Sequence, residues 1–204
     1  VQWDIGNRKE AENSGAKWFP YAKGAARWKW SGVVWNVVLW HNEGEELKES
    51  LFHKYPYLNG DPGWCTHNED LYFQPVVVWG TISSSGLSAS LVKEGSIISN
   101  ANYGICASTP NGVKILAVMN SSLGQYVLGL LSPTINFNKG EVEKLPIAEL
   151  SSSHRLGEDS RSCIQTTDFI LNQMEPAPRF TCPPAWKNGI DGLIDARARL
   201  MELE

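Results

Sequence analysis

Residues 33–40 are apolar almost throughout, with Asn36 the one polar position, and most of them are β-branched or aromatic. A run of that length and type predicts a buried strand. The polar stretch 43–50 breaks the pattern and predicts a short helix that ends before Pro56. Residues 59–70 open with Asn59, Gly60, Asp61, Pro62 and Gly63, a loop by composition. A loop so long is usually functional or mobile. Strand character returns with Tyr72, Phe73 and 76–79, then with 87–91, where Ser88 and Ser90 alternate with apolar positions, then with the paired isoleucines of 96–99. Ser83, Ser84, Ser85 and Gly86 form a hairpin-like connection within this region.

The pattern then becomes helical. Thr109 followed by Pro110 is an N-cap ahead of a first helical residue, and Ile115, Leu116, Val118 and Met119 supply a buried face. A second helix from Ser121 or Ser122 places Leu123, Tyr126, Val127, Leu130 and Leu131 on one stripe and stops before Pro133. Residues 133–146 read as a turn and a short strand, and 150–160 as a serine-rich polar linker. Residues 167–174 and 190–204 read as helical, the second with Ile190, Leu193, Ile194, Leu200 and Leu203 on an amphipathic face.

Composition narrows the class. With 42% apolar and 20% charged residues among 204, the chain matches ordinary globular proteins rather than disordered or fibrous ones. It has no membrane-spanning apolar window, and Val1, Gln2, Trp3 and Asp4 do not open a signal peptide, so a soluble cytoplasmic protein is expected. Entry on Trp3 and Ile5 without an initiator Met suggests a unit cut from a longer polypeptide. Cys65, Cys106, Cys163 and Cys182 are far apart without a C-x-x-C pair and read as reduced thiols.

Sequence signatures of catalysis are missing. No two glycines are separated by one residue, which removes dinucleotide and kinase-type loops, and there is no Walker, H-E-x-x-H, G-x-S-x-G or EF-hand sequence. His41, Cys65 and His67 have the wrong spacing for zinc and lack a fourth ligand. Cys65 and His67 are too close in sequence to act as nucleophile and base. Glu46, Leu47 and Lys48 form an E-x-K step, but within an acidic run that reads as a solvated helix face. No catalytic or metal residue is therefore assigned.

The net charge of −4 is uneven. Residues 13–42 hold Lys17, Lys23, Arg27 and Lys29 and no acid, whereas residues 141–204 hold eleven acids against seven bases. In the basic stretch cations alternate with Trp18, Phe19, Tyr21, Trp28 and Trp30. Nucleic-acid surfaces need that mixture, because cations hold phosphates while rings stack on bases or wedge against sugars. A core reading competes, with the tryptophans buried and the cations snorkelling over them.

The segments KWFPYAKG, RWKWSG and WNVVLWHNEGEELK resemble the start of the target-recognition region in adenine-specific DNA methyltransferases of the BREX phage-defence type and related type II restriction-modification enzymes. WGTISSSGLSASLVKEGSIIS is similar to that family's strands, and LAVMNSSLGQYVLGLLSPTINFNKGEVEKLPI to its helical pair, turn and Leu-Pro-Ile strand. Together they cover residues 17–147. Ser132 stands where the family usually has Asn, and no Asn-Pro dipeptide occurs, so the motif that holds the target adenine is not in this chain.

The resemblance implies an α+β unit with a mixed sheet, a helical pair and a C-terminal helix. Residues 1–150 form a DNA target-recognition domain, and residues 151–204 a polar linker and helical segment. Such a unit binds duplex DNA. Lys17, Lys23, Arg27 and Lys29 are assigned to phosphates with Trp28 and Trp30 beside them, and loop polar residues, 59–68 and Ser83, Ser84 and Ser85, to base edges. S-adenosylmethionine and adenine flipping belong to a catalytic domain elsewhere in the same polypeptide. Two other classes stay open. A carbohydrate-binding module would use the nine tryptophans, and a structural or assembly module would use the basic aromatic stretch as core.

Overall fold

The computed structural model describes residues 1–24, 27–107, 110–147, 154–180 and 182. Seven strands run in chain order: β1 (Trp18–Ala22), β2 (Trp30–Ser31), β3 (Asn36–Leu39), β4 (Val76–Gly80), β5 (Ala89–Val92), β6 (Ile97–Ile98) and β7 (Asn102–Cys106). The α-helices are α1 (Arg8–Asn13), α2 (Glu45–Lys54), α3 (Pro110–Asn120), α4 (Ser122–Leu131), α5 (Lys139–Val142) and α6 (His154–Leu171). The class is α+β with mixed sheets.

One sheet has the order β3-β1-β6 and the other β2-β5-β4-β7. Each contains one parallel pair, β1 with β6 and β2 with β5. Strand β4 is buried on both faces and sorts its side chains by parity. Val76 and Val78 face a core shared with Phe19, Trp40, Phe73 and Ile97, whereas Val77 and Trp79 face Leu116, Met119, Leu128 and Ile164 of the helices. The second sheet is thus the middle layer, between the first sheet and the helices.

Several expectations need adjusting. The run at 33–40 gives a strand only from Asn36, because Val33 packs instead with Leu171 and Ala177. Strand β1 had no signal of its own, since Pro20 argues against a central strand. It is accommodated because β6 joins β1 only at Tyr21 and Ala22, beyond the proline. Tyr72 and Phe73 lie ahead of β4, with the chain bent through a φ of 65° at Phe73. In place of a short strand within 133–146 there is a single bridge, Ile82 to Asn136, and the one-turn helix α5.

The helical pair forms, but α4 turns the other way round. Leu123, Tyr126 and Leu130 are exposed, and Gly124 and Leu128 are buried. The glycine decides this, because a Cβ on Gly124 would sit 1.9 Å from the Val118 carbonyl oxygen, so the small face is the one that approaches α3. The supposed linker is helical from His154 onward, as α6, and α6 packs on α3 and β2. Thr109 and the 190–204 helix lie outside the described residues. Among the described residues no helix is long and apolar enough to cross a membrane.

Candidate nucleic-acid interface

Strand pairing brings several separate loops to one end of the molecule. Ala22 pairs with Ile98 in parallel, Gly80 with Asn102 and Trp79 with Ala89 in antiparallel, and Trp30 with Ser90 in parallel. Residues 23–24 leaving β1 and 27–29 entering β2, the β4–β5 loop (81–88) and the β6–β7 turn (99–101) therefore share an end. Side-chain contacts tie them together. Asn102 Nδ2 donates to the Ala22 carbonyl at 2.8 Å, and Ser90 Oγ donates to the Trp28 carbonyl at 2.8 Å. The Asn120 amide accepts from Ala89 N at 3.1 Å and donates to Ala89 O at 2.9 Å, filling the place beside β5 that β2, starting opposite Ser90, does not reach.

None of these segments contains an acid. Lys23 and Arg27 are exposed there, and neither has an acidic partner among the described residues. Lys29 Nζ lies 3.5 Å from the Asn120 carbonyl oxygen, at the C-terminal end of α3, where a cation is favoured by the helix dipole. Trp28 is 37% exposed beside it. Trp30 is different: half-buried, with a φ of 76°, it packs on the core around Trp79 and Leu87. Ser84 and Ser85 are exposed, while the Ser83 hydroxyl donates to the Gly86 carbonyl at 2.6 Å and so shapes the loop.

Lys17 does not join this group. It precedes β1, roughly 20 Å from Lys23 at about 3.3 Å per residue, and pairs with Glu46 at 3.4 Å. That opposite end gathers the acids and balances some of them, Arg8 with Glu43 at 3.0 Å and Lys48 with Glu69 at 2.9 Å. Beneath it, burial first and the Glu69 carboxylate second push the Tyr72 phenol up, so Tyr72 remains neutral and packs edge-on against Trp40.

Two clefts flank the sheets. One, of about 400 Å³, runs from this basic end along β7 to the loop holding His67 and Asn68, with Asn100 and Asn102 on its wall. The other, of about 530 Å³, lies towards the opposite end, where Asp4 pairs with Arg179 and Asp168 with Lys93. Among the described residues no three His, Cys, Asp or Glu side chains are grouped to hold a metal, and Cys65 and Cys163 are free thiols. Sequence reasoning missed Asn100, Asn102 and Asn120. The only signal for the first two was the cluster of polar Ser99, Asn100 and Asn102, interrupted by Ala101, between two apolar runs.

No family model matches the chain. The adenine-specific methyltransferase PglX of Lacticaseibacillus casei (strain Zhang) is 31% identical to it over 165 residues, covering 80% of this chain and 13% of that protein. The adenine-specific methyltransferase BrxX of Escherichia coli O9:H4 (strain HS) is 27% identical over 169 residues, covering 81% of this chain and 13% of that protein. The chain is similar to one segment of adenine-specific methyltransferases. It spans about 13% of the length of these curated relatives.

Proposed function

We propose that the chain is the DNA sequence-recognition unit of a longer adenine-specific DNA methyltransferase, binding duplex DNA and selecting the site that a separate catalytic domain methylates. The observation that carries this reading is that Lys23, Arg27 and Lys29 stand beside Trp28 and the polar loops 81–88 and 99–101, on segments that hold no acid. Cations without acidic neighbours attract phosphates, and uncommitted polar side chains next to them can reach base edges. The similarity to a segment of PglX and BrxX supports the same role. Methyl transfer falls outside the chain. S-adenosylmethionine binding is assigned to that separate domain, since the sequence has no G-x-G.

A carbohydrate platform is the competing reading; of the tryptophans that it would need, Trp3 and Trp18, 38% and 46% exposed, lie at the end opposite Trp28, 37% exposed, so Trp28 shares no strip with Trp18. Titrating the chain with duplex DNA and with oligosaccharides at two salt concentrations separates the readings. Duplex DNA should bind, and more weakly at the higher salt, while oligosaccharides do not bind. Salt-independent binding of an oligosaccharide, or methyl transfer by the pure chain, would refute the proposal.

A further inference from the structure

The cleft along β7 separates its polar side chains into two kinds. One kind is consumed by the fold: Thr66 Oγ1 donates to the Pro62 carbonyl at 3.1 Å, Ser99 Oγ accepts from Ala101 N at 3.2 Å, and Asn102 Nδ2 donates to the Ala22 carbonyl at 2.8 Å. The other kind comprises His67, Asn68 and Asn100, all exposed, with no side-chain hydrogen bond to any described residue. Asn100 is the best placed of these. It occupies the tip of the β6–β7 turn, which Asn102 N closes on the Ser99 carbonyl at 3.1 Å. Together with the Ser99 and Asn102 side-chain bonds, that closure fixes the tip against the end of β1. Lys23 follows Ala22 directly, so a free cation stands one residue from the carbonyl that anchors the turn.

A free primary amide on a rigid tip, next to a phosphate-seeking cation, has a specific use on duplex DNA. Its Nδ2 donates and its Oδ1 accepts, which matches N7 and the N6 amino group of adenine in the major groove. A rigid support holds such a pair in register. We propose that Asn100 reads an adenine base edge and is a specificity-determining residue, with His67 and Asn68 facing the same cleft. The inference rests on the duplex-binding reading above and adds to it the base class and the residue that reads it.

The experiment is selection from a randomised duplex library, with salt-dependent binding measured in parallel, for the 204-residue chain and for Asn100→Ala and Asn100→Asp; melting curves show that both variants fold. The wild type should enrich adenine at a fixed position. Asn100→Ala should lose about tenfold or more discrimination at that position alone, with the salt slope unchanged. Asn100→Asp keeps the side-chain shape but only accepts, so preference there should move towards cytosine, whose N4 donates. An unchanged sequence preference in folded Asn100→Ala, or wild-type binding without any preference, would overturn the assignment while leaving duplex binding intact. Failure of the wild type to bind any duplex would remove the duplex-binding reading itself, and this assignment with it.

Discussion

Lys23 and Arg27 stand exposed with no carboxylate in reach among the described residues, while Lys17 is paired with Glu46 and Lys29 lies against the end of α3. These surroundings, rather than the shared charge, decide what each substitution does. Replacing Lys23 and Arg27 together by alanine should flatten the slope of log affinity against log salt by about two, at about 0.9 for each phosphate contact. The melting temperature should barely change, since exposed side chains without partners contribute within about 0.5 kcal/mol. Lys29→Ala should flatten the slope by about one and also cost about 0.3–1 kcal/mol through the lost helix-end interaction. Lys17→Ala should leave the slope unaltered and cost at most about 1 kcal/mol, as for other surface ion pairs. Binding isotherms at several salt concentrations and melting curves for the three variants check all of this.

At the scale of elements, α3 holds the basic end through Asn120, α4 holds it through Gln125 Nε2, which donates to the Leu87 carbonyl at 2.9 Å, and Gly124 lets α4 close on α3. Asn120 is buried and occupies both backbone groups of Ala89, so Asn120→Ala leaves a buried donor and a buried acceptor unpaired. Each orphaned group costs about 1–3 kcal/mol, and chemical denaturation should show a loss of at least about 2 kcal/mol. Gly124→Ala pushes α4 away from the Val118 carbonyl and should cost about 1–3 kcal/mol in the same assay. Gly44, at a φ of 75° with the Trp40 ring 2.7 Å from its would-be Cβ, is a comparable packing point at the opposite end.

Legibility in the sequence followed these same elements. The sequence shows strand β4 as an unbroken apolar run, α2 as a polar stretch, and α3 and α4 by their helical period. Pro20 obscured β1, and the two-residue β2 is too short to have a period. The start of helix α6, up to Ser160, read as a linker because Ser160 holds a place on its buried face, where its hydroxyl donates to the Leu156 carbonyl at 2.6 Å, whereas its end read as helical. In α4 the period was legible but not the buried side, because two apolar stripes exist and a glycine chooses between them. Of the candidate site, the cations were visible as a charge run. Their division between two ends depends on strand register, which a single sequence does not display.

At the scale of the molecule, charge on the described loops is polarised along the strands. Lys23, Arg27, Lys29, Trp28 and the loops around Ser84 and Asn100 occupy one end, and Glu43, Glu45, Glu46, Glu49, Glu69 and Asp70 gather near the other. On the proposed reading, a polyanion within about 10 Å of the surface at 0.1 M salt is attracted at the one end and repelled at the other. The most direct measurement is amide hydrogen exchange of the 204-residue chain with and without duplex DNA. The account predicts slowed exchange at 23–24, 27–29, 83–86, 99–102 and 67–68, with 43–49 and 69–70 unaffected. Protection confined to the acidic end, or to the cleft bordered by Asp4, Lys93 and Asp168, would contradict it.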